Sequence, residues 1–357
     1  MAAGDGRASR AVYGQNKAYL EIAGRSLVAR IVATLQRVPE VSEVWVVGRS
    51  EQLVQVLGDE SFRGELRKPL IIVPQFRNLL ENTWETFRRL LPGAGPQGRD
   101  PTPEEEEFRV LYLSSDLPFA TPQEISQFLQ RSLEIDCDYA LGLVTEQAMT
   151  PFYPVAAGEP GIDPVAEPGI EMAYFNLHEG RFRQSNLHLV KPARLGSRQR
   201  IQDMYQHRYQ KEMRHALSLA WKILTGEGGG VFIIWYFLLM HLAGVADRRG
   251  WRRLADWLRA PVTLGTAEAA CCKLLRTRFR FVTTEVGGCA VDIDNEQDFE
   301  TAVSRYHEWH VAQAKLAEAM HGPLPLPAQI PQTGTGGIGI RILPERRAPL
   351  AVTEGRE

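Results

Sequence analysis

The chain has 357 residues, of which 44% are hydrophobic and 24% are charged, a composition that allows a sizeable core in one large domain or two small ones. Its 41 Lys and Arg residues nearly balance 43 Asp and Glu residues, so the formal net charge of −2 excludes a general electrostatic attraction to nucleic acid or to an anionic membrane. The four cysteines form no CxxC pair and no signal peptide precedes them, which predicts a protein of the reducing cytoplasm.

Helical patterns and apolar runs alternate over the first 150 residues. The helical patterns are "SLVARIVATLQRV", "SEQLVQVLG", "LLENTWETFRRLL" and "TPQEISQFLQRSL", and the runs between them are "VSEVWVVG", "PLIIVPQ", "FRVLYLSSD" and "DYALGLVTE". Near-continuous apolar strands separated by helices indicate a parallel sheet that is covered on both faces. We therefore predict an α/β fold with a mostly parallel central sheet flanked by helices, and ligands at the carboxyl ends of its strands.

The later part of the chain has a different organisation. "AYFNLHEGRF" predicts a hairpin around Glu179 and Gly180, residues 200–260 read as a helical insertion, and "RFRFVTTEV" predicts a further strand. The segment 322–357 is rich in Pro and Gly and has no periodicity, which predicts a disordered tail. The expected organisation is thus one domain over residues 1–321 followed by that tail.

The longest apolar run, "VFIIWYFLLMHLAGVA", covers residues 231–246 and is interrupted by His241. It is shorter than the roughly 20 residues that span a bilayer, which favours a buried helix. The alternative is an interfacial helix with membrane contact through residues 231–253, because the basic, Trp-containing segment "DRRGWRR" follows directly.

Asp116 follows an apolar strand in "VLYLSSDLPFATPQEI". A carboxylate beside apolar residues at a strand end needs a cationic partner, and Mg²⁺ is a common one. The alternative is that Asp116 caps the helix that starts near Thr121.

A second acidic cluster, "VDIDNEQDF", also lies where a strand gives way to a helix. Side chains alternate along a strand, so Asp292 and Asp294 should point to the same side, and Asp294 could share one metal ion with Asp116. Helix capping by Asp294 or Asn295 is the alternative.

The amino-terminal segment "MAAGDGRASRAVYGQNKAYLEIAGRSLV" combines Gly4 and Gly6 with the cations Arg7, Arg10 and Lys17. Backbone amides and cations in such a loop can bind phosphates. A disordered terminus is the alternative interpretation.

Together these segments resemble the nucleotidyltransferases with a glycosyltransferase-A-like fold, especially the group similar to molybdenum cofactor guanylyltransferase. The resemblance rests on "MAAGDGR", on Lys17 in "NKAYLEIAGRSLV", on Asp116 in "SSDLPFATPQEI" and on "DIDNEQDF". It extends to Asn82 in "LLENTWETF" and Asn186 in "RQSNLHLVKP", so the matching segments bracket nearly all of residues 1–310.

The resemblance implies a nucleotide site at the amino end of the chain. The loop of Ala3, Gly4 and Gly6, with Arg7, would hold the nucleotide and its phosphates. Asn82 stands where relatives often have an Asn, which adds it to the expected nucleotide-binding residues.

The resemblance also implies which residues act on the phosphates. Lys17 would neutralise phosphate charge during attack on the α-phosphate, and Asp116 with Asp294 would hold Mg²⁺. Asn186 would contact the acceptor, with a structural turn Asn as the alternative. Such chemistry depends mainly on positioning and charge stabilisation, so it needs no Ser/His/Asp triad.

The implied activity is the Mg²⁺-dependent transfer of an NMP from an NTP to a small phosphorylated acceptor, with release of pyrophosphate and without a nucleic acid partner. Two alternatives stay open. "DID" also fits the acidic metal motif of a glycosyltransferase that uses a nucleotide sugar, and a nucleotide-binding protein without turnover could keep the same fold.

The chain departs from the family pattern in several places. Only "MAA" stands where relatives have a full hydrophobic strand, so we expect a truncated first strand and favour a start codon placed too late. Arg7 lies one residue early and Arg10 two residues late for the family's Arg, and "QSN" lacks the paired glycines. Within residues 200–260, four basic residues near one helical face predict a solvated face or a grip on an acceptor phosphate: Arg208, Lys211, Arg214 and His215.

Overall fold

A computed structural model of the chain describes residues 1, 3, 11–155, 167–170, 172–196, 230–327 and 340–344. Three of the expected nucleotide-loop residues, Gly4, Gly6 and Arg7, lie outside the described residues, as does the basic cluster at 208–215.

The first half of the chain alternates short strands and helices. In order they are β1 (Ala11–Val12), β2 (Gln15–Asn16), a 3₁₀ turn (Lys17–Tyr19), β3 (Glu21–Ile22), β4 (Arg25–Ser26), α1 (Leu27–Gln36), β5 (Val44–Gly48), α2 (Ser50–Leu57), α3 (Glu60–Arg63), β6 (Leu70–Pro74), α4 (Leu79–Leu90), β7 (Val110–Tyr112), α5 (Pro122–Glu134), β8 (Tyr139–Thr145) and α6 (Glu146–Met149).

The second half begins with the hairpin that the sequence predicted. Its elements are β9 (Phe175–Leu177), β10 (Gly180–Val190), α7 (Gly230–Arg248), α8 (Arg252–Arg259), α9 (Leu264–Leu275), β11 (Phe279–Thr284), α10 (Glu296–Ser304), α11 (Tyr306–His321) and β12 (Ile340–Ile342).

Two sheets form the centre of the fold. The first is parallel throughout, in the order β12-β6-β5. The second has the order β11-β8-β10-β7, with β9 paired to β10. Strand β11 is parallel to β8, whereas β10 runs antiparallel to β7, β8 and β9. The α/β prediction is therefore confirmed, and β10 is its antiparallel member.

The backbone at Met1 and Ala3 runs beside β5 in a parallel ladder. The Met1 amine donates to the Trp45 carbonyl (2.8 Å), Val47 donates to the Met1 carbonyl (3.0 Å), and Ala3 donates to the Val47 carbonyl (2.8 Å). Ala3 is buried against the core that α1, β5 and α5 share.

Local capping explains where the helices next to the site begin. Ser26 Oγ accepts the Ala29 N–H at 3.3 Å and starts α1, and Thr121 Oγ1 accepts the Glu124 N–H at 3.3 Å and starts α5 behind Pro122. Helix α1 then buries Ile31 and other apolar residues in the core. Both helices are thereby fixed at the edge of the sheet that carries Lys17 and Asp116.

A close backbone approach at Gly288 brings the late acidic segment to the Asp116 loop. A Cβ atom at Gly288 would lie 2.0 Å from the Phe119 carbonyl oxygen, so only glycine fits. The following residues, Cys289 to Ile293, are buried. The acidic segment "VDID" is thus held directly against the loop after β7.

Two sequence expectations about strand ends need correction. Asp116 does not stand at a strand tip, because β7 pairs with β10 only as far as the Tyr112–His188 pair, where β10 has a register shift. "VDID" is not a strand either, because β11 ends at Thr284 and a 3₁₀ turn at Gly288–Ala290 redirects the chain. Both carboxylates lie in loops beyond the sheet edge.

Two other expectations hold only in part. Ile340–Ile342 is an exception to the expected disordered tail, because it pairs in parallel with β6. Helix α7 buries Leu239 but leaves Trp235 and Leu238 about half exposed, so it is not the fully buried helix that its composition favoured. Within the described part of the chain, every helix is too short or too polar to cross a bilayer.

Candidate functional site

One ammonium group contacts two carboxylates at the edge of the sheets. Lys17 Nζ donates to Asp116 Oδ2 at 3.3 Å and to Asp294 Oδ1 at 3.1 Å. Lys17 and Asp116 are buried, with 6% and 7% of their surfaces exposed, and Asp294 is more open to solvent. Three residues that the sequence singled out for one chemistry are therefore neighbours in the fold.

Asn16 positions Lys17. Its side-chain Oδ1 accepts the Ala18 N–H at 3.0 Å and so caps the 3₁₀ turn that begins with Lys17. Its Nδ2 donates to the Ala3 carbonyl at 2.9 Å. One amide side chain thus ties the expected nucleotide loop at Ala3 to the turn that carries the lysine.

The two carboxylates are held by different local structures. Ser114 Oγ donates a short hydrogen bond to Asp116 Oδ1. The Asp294 N–H donates to Asp298 Oδ2 at 3.2 Å, at the start of α10, where Asn295 is the N-cap. Burial raises the pKa of Asp298 above its usual value, with the N–H of Asp294 acting in the opposite direction.

Asp292 faces a different cation from Asp294. Arg183 Nη2 donates to Asp292 Oδ1 at 3.0 Å, and Arg183 Nε donates to the Ala290 carbonyl at 2.6 Å. The expectation that Asp292 and Asp294 point to the same side is not met, because the segment is not a regular strand. Asp292 instead anchors the acidic segment to β10.

The two asparagines have structural contacts. Asn82 Oδ1 accepts the Phe76 N–H at 2.6 Å and fixes the loop between β6 and α4. Asn186 Nδ2 donates to the Cys289 carbonyl at 3.3 Å. Both also line the cavity described next, so their side chains lie close to the space that a ligand could enter.

A cavity of about 1100 Å³ adjoins the two carboxylates. Lys17 and Asp116 form part of its wall. Most of the remaining wall is apolar and comes from β5, β7, β8, β10, β11 and helices α4, α7 and α9. The candidate catalytic side chains thus open onto a large and mainly apolar space.

The chemistry of the donors fits a magnesium ion. Mg²⁺ usually binds through one or two carboxylates together with substrate phosphates and water, and Asp116 and Asp294 are two such carboxylates around one point. One ammonium between them leaves an excess of negative charge, which favours a further cation. Among the described residues there is no group of three or more His, Cys, Asp or Glu side chains that could form a complete protein cage for a metal.

Sequence reasoning missed Asn16, Ser114 and Arg183. A capping signal was present for Asn16, since an Asn directly before a turn residue is a typical N-cap. Arg183 gave no local signal, because its partner lies 109 positions away in the chain.

A family model describes the first part of the chain. Residues 1–163 match the model of the "MobA-like NTP transferase domain". This match includes Lys17 and Asp116, and it confirms the resemblance found in the sequence. It ends before Asp294 and before helices α7 to α11.

Solved structures share the fold at low identity. A hypothetical transferase from Thermus thermophilus is 20% identical, with a TM-score of 0.51 over 83% of this chain and 96% of that one. A CMP:2-keto-3-deoxy-manno-octonic acid synthetase complexed with CTP is 12% identical, with a TM-score of 0.41 over 86% and 96% of the two chains. A 4-diphosphocytidyl-2C-methyl-D-erythritol synthase from Anaerococcus prevotii is 10% identical, with a TM-score of 0.40 over 86% and 95%. Among curated proteins, none matches this chain.

Proposed function

We propose that this chain, whose residues 1–163 match a MobA-like NTP transferase domain, transfers an NMP from an NTP to a phosphorylated acceptor. The observation that carries the proposal is the contact of Lys17 with both Asp116 and Asp294. This arrangement gathers one cation and two potential metal ligands at the site where the family match implies a nucleotide.

In the proposed reaction an oxygen of the acceptor phosphate attacks the α-phosphorus of the NTP. A new P–O bond forms, the bond between the α-phosphorus and the bridging oxygen breaks, and pyrophosphate leaves with that electron pair. Lys17 donates hydrogen bonds to the phosphate oxygens and offsets the charge that develops on them. Gly4, Gly6 and Arg7, with the backbone near Ala3, bind the nucleotide and its phosphates, and Asn82 lies beside them.

Asp116 and Asp294 are the residues that would hold Mg²⁺. When bound, the ion supplies positive charge that neutralises phosphate oxygens and orients them. The described contacts support this assignment, because Lys17 occupies the space between the two carboxylates and compensates part of their charge. Ser114 and Asp298 keep the carboxylates oriented.

The test is the thermal midpoint of the protein with each of the four NTPs, with and without Mg²⁺. A ligand at a hundredfold excess over its Kd stabilises the folded state by about 2.7 kcal/mol. We expect one NTP to raise the midpoint in a Mg²⁺-dependent manner and Asp116→Asn to abolish the rise. The matched control is Asp100→Asn, an exposed aspartate that pairs with Arg88 at 3.0 Å and should leave the rise intact.

Two outcomes would overturn the proposal. Stabilisation by nucleotide sugars, but not by NTPs, would favour the glycosyltransferase alternative, in which a free nucleoside diphosphate rather than pyrophosphate is the product. Equal NTP responses of the wild type and Asp116→Asn would remove the carboxylate site from the mechanism.

A further inference from the structure

The cavity next to Lys17 and Asp116 is much larger and more apolar than phosphate chemistry requires. Its volume is about 1100 Å³, above the usual range for small-molecule sites. Lys17 and Asp116 give it a charged part, whereas Leu143, Met240 and Leu274 belong to its apolar part. The apolar space is therefore continuous with the candidate catalytic groups.

Helices outside the family match form one wall of this space. Tyr236 and Met240 of α7 line it, as do Ala267, Ala270 and Leu274 of α9. These helices pack on the face of the second sheet that carries Leu143 and Phe281. The later part of the chain thus shapes the space beside a nucleotidyltransferase domain.

The environment of this wall is poor in water. Leu143 is fully buried, and Phe279 is 2% exposed. Burial raises the pKa of the Cys271 thiol in the same wall to about 12, because an apolar environment disfavours the thiolate. Such a surface gains little from a polar occupant and favours hydrocarbon.

We propose that the acceptor is amphiphilic, with its phosphate at Lys17 and an apolar chain of the alkyl or prenyl class along the wall formed by α7 and α9. This inference rests on the proposed function and adds the chemical class of its acceptor. Lys17 and a metal ion at the two carboxylates supply positive charge for the head group, and the apolar wall supplies the contact for the chain.

The first test is a chain-length series measured by calorimetry on the full chain. The probes are ethyl, butyl, hexyl and octyl phosphate, each below its micelle concentration and in the presence of Mg²⁺. Burial of one methylene corresponds to about a fourfold gain in affinity, so each two-carbon step should lower Kd about 15-fold. A Kd that does not change with chain length overturns the inference.

The second test places a large side chain in the cavity wall and on the outer face of the same helix. Ala270 lines the cavity, whereas its neighbour Ala269 is exposed and does not. Ala270→Trp should weaken octyl phosphate binding at least tenfold and leave ethyl phosphate binding unchanged. Ala269→Trp is the matched control and should bind both as the wild type does.

The series on the wild type needs no variant, so the inference can be tested even if Ala270→Trp unfolds. Its failure is also separable from failure of the proposed function. If an NTP raises the thermal midpoint in a Mg²⁺-dependent manner while octyl phosphate binds no better than ethyl phosphate, the amphiphilic acceptor is wrong and the nucleotidyltransferase proposal stands. If octyl phosphate binds but no NTP does, the apolar site stands without that activity.

Discussion

Ile293 donates its backbone N–H to the carbonyl oxygen of Asp116 at 3.3 Å, so one hydrogen bond joins the two loops that carry the candidate metal ligands. Asp294 directly follows Ile293, and its distance to Asp116 is therefore fixed by backbone contact as well as by the shared bond to Lys17. The carboxylate pair is built before any ligand arrives, which is the condition for pre-organised charge stabilisation.

Removal of the Lys17 cation should cost stability. Lys17→Met leaves the buried Asp116 carboxylate without its ammonium partner, and loss of one member of a buried pair costs about 3 kcal/mol. Urea unfolding in EDTA should show this loss. Mg²⁺ should then raise the thermal midpoint of the variant more than that of the wild type, because the ion replaces the missing positive charge.

The matched control for this experiment is Lys315→Met, an exposed position on α11. It should behave as the wild type in both buffers. An equal Mg²⁺ response of Lys17→Met and the wild type would contradict the assignment of the carboxylates to a metal.

The stability of the fold should fall as pH rises through neutrality because of Glu124. Burial raises the pKa of this carboxyl from 4.5 to about 8, although the Cys289 N–H donates to it at 2.9 Å. The folded state keeps the proton between these values while the unfolded state releases it. Stability from this group is thus fully present below pH 4.5 and is lost as pH rises to about 8, by up to about 1.4 kcal/mol per pH unit.

Glu124→Gln should remove this slope, because the amide is neutral in both states. The free energy of unfolding, measured in urea from pH 5 to pH 8, should become flatter than that of the wild type. Glu134→Gln changes an exposed residue at the end of the same helix and should retain the wild-type slope. A slope that survives in Glu124→Gln would show that another group controls the pH dependence.

Gly288 should tolerate no side chain. Gly288→Ala would place a Cβ atom 2.0 Å from the Phe119 carbonyl oxygen, and the backbone shift that relieves it should destabilise the protein by about 3 kcal/mol. NTP binding should weaken as well, because the shift moves the segment that carries Asp294.

Gly265→Ala is the contrasting substitution. Its Cβ atom would meet only Thr263 Oγ1, at 3.8 Å, within helix α9. Here alanine should stabilise the protein by up to about 1 kcal/mol, because it favours the helix. Similar losses in the two variants would refute the close approach at Gly288.

The two hydrogen bonds of Asn16 can be separated by substitution. Asn16→Ala removes both the cap of the Lys17 turn and the bond to Ala3, with an expected loss of about 2 kcal/mol. Asn16→Asp keeps the cap acceptor but loses the donor, so about half of that loss should remain. Thermal unfolding of the two variants measures both effects, and identical losses would argue against a separate contribution from the cap.

The sequence predicted those parts of the fold that depend on local pattern. The apolar runs at β5, β6 and β8 and the amphipathic helices between them lie where periodicity placed them. The direction of β10 was not predictable, because an apolar run contains the same residues whether its neighbour is parallel or antiparallel. The ladder between β10 and both β7 and β8 is a long-range choice.

The candidate site divides in the same way. Motif resemblance brought forward Lys17, Asp116 and Asp294, and the fold places them together, although their roles stay predictions. Arg183 could not be found in advance, because its pairing with Asp292 exists only after β10 and the loop at Gly288 have met.

Lys17 lies near the start of the chain and its partner Asp294 lies 277 positions later, which gives the site a history during synthesis. On a ribosome that adds about 5 to 20 residues per second, Asp116 becomes available to Lys17 roughly 10 to 40 s before Asp294 does. The nascent chain can therefore form the first ion pair well before the second carboxylate exists. Affinity for a divalent cation should consequently appear late in translation, as one of the final properties that the polypeptide acquires.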